Sequence, residues 1–248
     1  MRYLGGKFRQ APAIAAVLRA RHGTGFRYCE PFHGGMASVV RVVAELAPSV
    51  VLASDTNRPL VLLWQRLVAG TIELPNTCTD AIYDEYKRKQ DHEDPLTAWY
   101  GTALSFGGFW FSSHARYYAG KREVYSEQIH VNSTMRKAAV LRSARSLSIW
   151  HADYWDSVRN LRGWVVYLDP PYAGRSKGHN FDEFDTELFW SRARALSRTN
   201  SVYVSCFECP PDFVPVHEWG DTVQRHGIVR PEVRVATNEK LVVWQPLH

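Results

Sequence analysis

The chain has 248 residues, a formal net charge of +5 at pH 7 and an isoelectric point near 9.0. No apolar run approaches the roughly 18 residues that a membrane helix needs, and the first residues lack the apolar core of a signal peptide. We therefore expect a soluble protein inside the cell, built as one large α/β domain or as one domain with a smaller insertion. The positive charge suggests a polyanionic partner.

The cysteines and histidines show no pattern of a disulfide framework or a metal site. Four cysteines do not resemble such a framework in a chain of this size. Cys206-Phe-Glu-Cys209 has the spacing of a zinc knuckle, but no second pair stands at a matching distance, so plain packing is the favoured interpretation. We expect no metal, because metal-ligand spacings are also absent among the histidines His33, His114, His151 and His179.

A glycine turn and a helix open the chain. Tyr3-Leu-Gly-Gly-Lys7 combines two glycines, which let the backbone approach a ligand closely, with a lysine that can bind a carboxylate. Residues 11–21 place apolar side chains on one face and predict a helix. By itself the glycine turn is a weak signal, because termini are often rich in glycine.

A strand, a glycine-rich turn and a helix follow in succession. Residues 26–29 read as a short strand, Glu30-Pro31-Phe32 and Gly34-Gly35 as the turn, and residues 36–46 as an apolar helix. This succession is the first unit of a nucleotide-binding sheet, since glycines allow close backbone approach and a helix N-terminus favours negative charge. The spacing is not G-x-G-x-x-G, so a dinucleotide-binding fold is the poorer match.

A second buried strand, over residues 49–55, ends in Asp55. An acid at this place can hydrogen-bond ribose hydroxyls. The alternative is an N-cap for the helix predicted over residues 59–67, but Asn57 can supply that cap and leave Asp55 free. We therefore favour the ribose role for Asp55.

From residue 70 to residue 146 the sequence no longer predicts strands that alternate with helices. Residues 101–150 hold seven basic and two acidic residues. Residues 96–104 look helical, whereas residues 106–122 mix glycine, aromatic and basic residues without a helical period. Such interleaving in a hairpin-like loop is typical of a nucleic-acid contact surface, with part of the aromatics forming a local core. A helix over residues 135–145 has a basic face for phosphates or, alternatively, a merely solvated face.

After residue 146 the sequence again predicts strands that alternate with helices. A third strand starts at residue 147 and ends in Asp153, an acid placed to receive an adenine amino group. Residues 165–168 form a fourth, largely apolar strand, and a glycine-rich cationic loop at residues 173–180 suits a mobile lid. The remaining predicted elements are a helix over residues 186–196 and strands over residues 201–207, 221–229 and 239–245.

Asp169-Pro-Pro-Tyr172 follows the fourth strand at its carboxyl end, where open α/β sheets place ligands. Its two prolines stop the strand and make the tetrapeptide rigid. The Asp169 carboxylate and the Pro170 carbonyl can accept both hydrogens of a planar exocyclic amine and stabilise positive charge on its nitrogen. Tyr172 can stack on the base. The alternative is a rigid turn without chemistry.

In this order, the motifs resemble the Dam-like (D12 class) DNA adenine-N6 methyltransferases that use S-adenosylmethionine. The resemblance covers nearly the whole chain, is weak between residues 70 and 146, and rests on Tyr3-Leu-Gly-Gly-Lys7, Glu30-Pro-Phe-His-Gly-Gly35, Ser54-Asp-Thr-Asn57, Asp153 and Asp169-Pro-Pro-Tyr172. It implies a mixed, Rossmann-like α/β sheet with a catalytic domain over residues 1–69 and 147–248. Residues 70–146 would form a mostly helical, hairpin-containing insertion for target recognition.

The resemblance implies direct displacement from the positively charged sulfur onto the N6 amine of an adenine flipped out of double-stranded DNA, without a metal. The implied catalytic residues are Asp169, Pro170 and Tyr172. The implied cofactor-binding residues are Tyr3, Lys7, Glu30, Pro31, Phe32, Gly34, Asp55, Asp153 and Asp169. For DNA contacts the middle segment offers Arg116, Tyr117, Lys121, Arg122, Arg136 and Lys137.

Two departures from the family pattern leave the recognition sequence open. The first glycine motif usually reads Glu-Pro-Phe-x-Gly-x-Gly or -Ser, whereas here Gly34-Gly35-Met36 follows, and only Arg116-Tyr117-Tyr118 and Gly120-Lys121 remain of the Dam recognition hairpin. The alternatives are methylation of cytosine N4 or of RNA and, in another class, a non-catalytic DNA-binding protein with a degenerate cofactor site. We expect a cytoplasmic monomer, with a dimer as the alternative, in a bacterial or phage-infected cell, where a restriction nuclease can accompany such an enzyme.

Overall fold

The computed structural model describes residues 1–115, 126–171, 184–220 and 238–246. Within these ranges one sheet contains the strands β1 (Arg27–Glu30), β2 (Val50–Asp55), β3 (Leu147–His151), β4 (Val165–Leu168), β5 (Ser201–Cys206), β6 (Phe213–Glu218) and β7 (Lys240–Trp244). The strand order is β3-β2-β1-β4-β5-β7-β6. β1 to β5 are parallel, and β7 lies antiparallel between β5 and β6. The predicted mixed, Rossmann-like α/β sheet is confirmed.

The helices are α1 (Ala11–His22), α2 (Ala37–Leu46), α3 (Arg58–Ala69), α4 (Asp80–Lys89), α5 (Pro95–Ala98), α6 (Ser126–Arg142), α7 (Tyr154–Val158) and α8 (Thr186–Ser197), with a π turn (Trp99–Ala103) and a 3₁₀ turn (Phe106–Gly108) after α5. The ends of α3 follow from its sequence. Asn57 accepts a hydrogen bond from Leu60 N at 3.1 Å, and Gly70 ends the helix with a φ of 71°. The predicted cap by Asn57 is confirmed. None of the described helices is long and apolar enough to cross a membrane.

The sheet is covered on both faces. Along β4, Val165 and Tyr167 face one layer while Val166 and Leu168 face the other, because side chains alternate along a strand. α1, α2, α3 and α6 pack on the first face, and α7 and α8 pack on the second. Since all four β4 residues are buried, each aliphatic side chain among them stabilises the fold by about 1.5–3 kcal/mol relative to exposure.

The described part of residues 70–146 shares the core of the first face. Tyr83 of α4, Trp99 of the π turn and Leu141 of α6 are buried in the same hydrophobic cluster as side chains of α2 and α3. Tyr86 stacks on Tyr100 with ring centroids 4.1 Å apart. Apolar contacts therefore join this segment to the sheet layers, and its role as a target-recognition insertion stays a prediction.

Several elements differ from the sequence-based expectations. α4, for which no helix was predicted, has a narrow apolar face, because Tyr83 is its one buried residue and Tyr86 is only partly buried against the core. The helix predicted over residues 96–104 is divided into α5 and the π turn. β6 contains Pro215 at an irregularity of its ladder, which is tolerated because β6 lies at the edge of the sheet. The strand predicted over residues 221–229 lies outside the described residues.

Candidate active site

The carboxyl edge of the parallel strands gathers the acidic residues predicted for the site. Glu30 ends β1, Asp55 ends β2, and Asp169 follows β4. Because β1 lies between β2 and β4, the three side chains come to one edge of the sheet, where the strand order reverses. Burial, together with the charges of Asp55 and Asp169, raises the pKa of Tyr3 well above its usual value, so the phenol belongs to the same group of residues.

The turn after β1 depends on two glycines. Gly34 has a φ of +42°, and a Cβ on it would lie 2.7 Å from Cε1 of Tyr3. A Cβ on Gly35 would lie 2.8 Å from the Cβ of Tyr3. The absence of side chains therefore lets Tyr3 lie directly across the turn. The departure from the family pattern at Met36 has a structural counterpart, since Met36 takes a left-handed φ of 57° just before α2.

Asp55 holds this turn to the sheet. Its Oδ2 accepts a hydrogen bond from Gly34 N at 3.0 Å, and its Oδ1 accepts one from Asn57 N at 2.9 Å. As expected, Asn57 and not Asp55 caps α3, but both oxygens of Asp55 are engaged by the backbone. Each oxygen keeps a second lone pair, so the carboxylate can still accept hydrogen bonds from a ligand.

Glu30 is buried at the end of β1, with 1% of the residue exposed. Tyr28 donates a hydrogen bond to Oε2 at 2.7 Å, and Ser38 donates one to Oε1. Burial raises the pKa of Glu30 to about 8; the hydrogen bonds from Ser38 and Tyr28 oppose this rise, and the charge of Asp169 adds to it. At neutral pH the carboxyl group therefore keeps its proton in most molecules.

Lys7 joins the N-terminal glycine turn to Asp169. Its Nζ lies 2.8 Å from Asp169 Oδ1 and 3.2 Å from Glu239 Oε1, and it donates a hydrogen bond to Gly5 O at 3.3 Å. Burial lowers the pKa of Lys7, but Asp169 and Glu239 more than offset this, so the pKa is raised. Sequence reasoning missed Glu239, which belongs to no motif and comes near Lys7 only through the fold.

Asp153 caps a helix instead of ending a strand. β3 stops at His151, and the Oδ1 of Asp153 accepts a hydrogen bond from Trp155 N at 2.8 Å at the start of α7. The following residue, Tyr154, stacks on Phe32 with ring centroids 5.2 Å apart. The predicted acid is thus accompanied by a pair of aromatic rings, of which Tyr154 was missed although it stands next to Asp153 in the sequence.

The tetrapeptide after β4 is described up to its second proline. Asp169 is half-buried, and Pro170 is buried directly behind the strand. Pro31 is buried at the corresponding place behind β1. Two neighbouring parallel strands therefore each lead into a buried proline through an acid, which is the last residue of β1 and the first residue after β4. Tyr172, predicted to stack on a base, lies outside the described residues.

The residues predicted to contact DNA are described in part. Arg136 is exposed on α6. Lys137 turns back into the molecule, where its Nζ donates a hydrogen bond to Gly35 O at 2.7 Å and burial lowers its pKa to about 8. The structure therefore pairs Lys137 with the glycine turn and not with solvent. The other predicted contacts lie outside the described residues: Arg116, Tyr117, Lys121 and Arg122.

The aromatic segment after the π turn divides into a buried and an exposed part. Phe111 is buried in the core, whereas Phe106 is 68% exposed. The backbone of this segment is fastened to the N-terminal turn, because Leu4 N donates a hydrogen bond to Gly108 O at 3.3 Å. An exposed aromatic ring is thus held on the segment that leads to Lys7.

Among the described residues, no group of three or more His, Cys, Asp or Glu side chains is arranged to hold a metal ion. The four cysteines are free thiols. Cys206 is buried at the end of β5, and Cys209 donates a hydrogen bond to Phe213 O at 3.4 Å. Both side chains pack in the hydrophobic cluster under α8.

Comparison with known proteins adds a family and a set of similar folds. Residues 3–105 and 112–204 match the family described as D12 class N6 adenine-specific DNA methyltransferase. A search of curated proteins finds no significant match. The fold is similar to that of the rRNA methyltransferase aviRa from Streptomyces viridochromogenes, with 16% identity, 96% of this chain and 84% of that chain covered, and a TM-score of 0.46.

Two further solved structures are similar to this chain. TrmN from Thermus thermophilus is 14% identical, with 98% of this chain and 53% of that chain covered and a TM-score of 0.42. Magnesium protoporphyrin IX methyltransferase (ChlM) from Synechocystis PCC 6803, solved with bound SAM, is 9% identical, with 97% and 80% covered and a TM-score of 0.42. At this identity the likeness concerns the fold alone.

Proposed function

Because the chain belongs to the D12 class N6 adenine-specific DNA methyltransferase family, we propose that it transfers a methyl group from S-adenosylmethionine to the N6 amine of adenine in double-stranded DNA. The observation that carries this proposal is the place of Asp169 and Pro170, at the carboxyl end of β4 and in direct contact with the N-terminal turn through Lys7. This turn and the glycine turn after β1 meet at Tyr3, beside the same carboxylates.

The residues at this edge fit S-adenosylmethionine. The turn at Gly34 and Gly35 has no room for a Cβ, as expected where the backbone must be approached closely. His33 is 2% exposed, and its Nε2 is a buried polar atom without a hydrogen-bond partner next to Asp55. Acidic side chains line the edge, which suits a ligand with cationic groups and ribose hydroxyls. When bound, the cofactor supplies a methyl group on a positively charged sulfur.

The proposed cofactor residues have separate tasks. Asp55, fixed by the backbone of the glycine turn, would accept hydrogen bonds from the ribose. Asp153, with the ring pair of Phe32 and Tyr154, would face the adenine of the cofactor. Tyr3 and Lys7 would contact its methionine part, next to the turn that Glu30 begins.

Asp169 and Pro170 would prepare the target amine. The Asp169 carboxylate would accept a hydrogen bond from one N–H group of the amine, and the carbonyl of Pro170 would accept a hydrogen bond from the other. With both hydrogens held, the nitrogen would direct its lone pair toward the methyl group, and the carboxylate would stabilise the positive charge on the nitrogen until one of the two protons leaves to give the neutral methylamine. The target adenine must leave the duplex to reach this edge, and Tyr172 would stack on it there.

DNA would be held by the exposed basic and aromatic residues around this edge. Arg136 on α6 would contact a phosphate, and Phe106 would contact a base or sugar from the turn fastened to Leu4. Arg116, Tyr117, Lys121 and Arg122 complete the proposed surface. Lys137 would support it indirectly, since its ammonium binds the carbonyl of Gly35.

Methyl transfer from labelled S-adenosylmethionine to unmethylated genomic DNA, followed by nucleoside analysis, tests the proposal. We expect N6-methyladenine. Asp169→Asn should lower turnover by about 10²–10³-fold, the cost of removing one charge-stabilising group, while cofactor and DNA binding persist. Asp156→Asn, which removes an exposed carboxylate of α7, is the matched control and should remain active. N4-methylcytosine, or no methylated base at all, would contradict the proposed reaction.

A further inference from the structure

Glu239 is a second carboxylate on the Lys7 ammonium, and the proposed reaction does not use it directly. It directly precedes β7, two places from β4 in the sheet, and 2% of the residue is exposed. Its Oε1 lies 3.2 Å from Lys7 Nζ, and its Oε2 accepts a hydrogen bond from Gln10 Nε2 at 2.9 Å. Its backbone carbonyl accepts a hydrogen bond from Trp219 N at 3.0 Å. The carboxylate is therefore fixed from several sides.

The charges around Lys7 do not cancel. Lys7, Asp169 and Glu239 form a triad with one positive and two negative charges, so its net charge is −1. Without Glu239 the ammonium would compensate Asp169 fully. The neighbouring carboxyl group of Glu30 adds little negative charge at neutral pH, because burial raises its pKa to about 8.

The phenols near the triad are neutral as well. Burial and the nearby carboxylates raise the pKa values of Tyr3 and Tyr167 well above the usual range. Within the triad, the net negative charge therefore comes from Glu239, since the charges of Lys7 and Asp169 cancel each other.

We infer that Glu239 is a positioning residue: it shares the Lys7 ammonium with Asp169 and so leaves negative charge on Asp169 for the target amine. The inference rests on the proposed function, in which the amine nitrogen becomes positively charged. A triad of charge −1 attracts that nitrogen, whereas a neutral pair of Lys7 and Asp169 would do so weakly. Glu239 thus acts through Lys7 and touches no substrate.

The test compares the full wild-type chain with Glu239→Gln, which keeps the shape of the side chain. We expect turnover to fall by about 10- to 100-fold, as Coulomb's law gives for one charge removed at roughly 6–12 Å in a medium of effective dielectric constant about 20. The dissociation constant for DNA should stay unchanged. Glu218→Gln, which removes a more exposed carboxylate that pairs with Lys240 on the neighbouring strand, is the matched control and should keep wild-type turnover.

A second measurement needs no substrate. In the ligand-free protein, NMR should show that the Lys7 ammonium loses its proton at lower pH in Glu239→Gln than in wild type, because one of the two carboxylates that raise its pKa is gone. A purely structural role of Glu239 predicts lower stability without this shift. An unchanged titration together with unchanged turnover would overturn the inference.

The outcomes separate the inference from the proposed function. A wild-type protein that methylates no adenine would refute the function, and the NMR titration would still decide how the ammonium is shared. If Glu239→Gln does not fold, Glu239→Asp takes its place, since it keeps the charge. A folded Glu239→Asp should retain more than about a tenth of wild-type turnover, because the net charge near the amine is preserved; a folded but inactive Glu239→Asp would contradict the inference.

Discussion

At the scale of single residues, Gly34 shows how little room the turn after β1 leaves. Gly34→Ala must place a methyl group against the Tyr3 ring and also hold an L-residue at a φ of +42°. We expect a loss of stability beyond the about 1–2 kcal/mol that a left-handed backbone costs, and weaker binding of S-adenosylmethionine. Urea unfolding and calorimetric titration measure the two effects.

Gly70→Ala is the matched control for this variant. Gly70 also has a positive φ, of +71°, but its nearest added contact would be Arg142 at 3.8 Å, an ordinary distance. It should show the backbone cost alone and leave cofactor affinity unchanged. Equal losses in the two variants would mean that the contact with Tyr3 has no energetic weight.

Glu30 makes the stability of the protein depend on pH. Its folded-state pKa of about 8 lies above the unfolded value, so between about pH 4.5 and 8 the folded chain binds a proton that the unfolded chain has lost. Stability should therefore fall as the pH rises through this window, by up to about 1.4 kcal/mol per pH unit, and level off above it. Denaturant unfolding at several pH values measures how the free energy of unfolding changes with pH. This change should be smaller in Glu30→Gln than in Glu45→Gln, the control, which removes a more exposed carboxylate.

The single residues of the site differ in how far they can be predicted from the sequence. Lys7, Asp55 and Asp169 stand in compact motifs whose spacing indicates their chemistry, and the structure brings them to one edge. Glu239 and Gln10 have no such motif. Their importance follows from a contact across 229 residues, which no local pattern encodes.

At the scale of elements, two residues at the end of β2 have different roles: Asn57 caps α3, and Asp55 holds the glycine turn. Asn57→Ala removes the N-cap of α3 and should cost about 1 kcal/mol of stability without changing cofactor affinity. Asp55→Asn places an amide against one of two backbone N–H donors and should weaken S-adenosylmethionine binding about tenfold or more, as expected for a lost hydrogen bond to a charged group. Thermal unfolding measures the stability of both variants, and calorimetric titration measures their affinity for S-adenosylmethionine. Weaker cofactor binding by Asn57→Ala, or unchanged binding by Asp55→Asn, would contradict this assignment.

The elements that the sequence predicts well are those with a strong local reason. β4 is apolar throughout because both of its faces are covered, and α3 has a cap at each end. α4 packs on the core through Tyr83 and Tyr86, and β6 is held by its pairing with β7, so the apolar pattern of each is narrow. Their stability comes from tertiary contacts, which a reading of local sequence does not contain.

At the scale of the whole molecule, the basic charge should appear in the salt dependence of DNA binding. Arg136→Gln removes an exposed cation and should reduce the slope of log K against log salt by about 0.9, the contribution of one phosphate contact. Lys137→Met, one residue further along α6, removes an ammonium that is bound to Gly35 and should leave the slope unchanged. A smaller slope in Lys137→Met would mean that Lys137 contacts a DNA phosphate.

The order of strands in the sheet is the part of the architecture that motifs predict least. The apolar runs indicate parallel strands in the first part of the chain, but only the fold shows that β7 enters between β5 and β6. That insertion carries Glu239 beside Lys7. A local signal cannot specify it, because the pairing joins residues that are distant along the chain.

The link between Gln10 and Glu239 has a consequence for synthesis on the ribosome. The two side chains are 229 residues apart, so the N-terminal turn gains this contact only after residue 239 has been synthesised. In a nascent chain that ends before residue 239, Lys7 can pair with Asp169 but not with Glu239. The contact of Lys7 with its second carboxylate therefore forms late in synthesis, after β5 and β6, the two strands that flank β7 in the sheet, have been made.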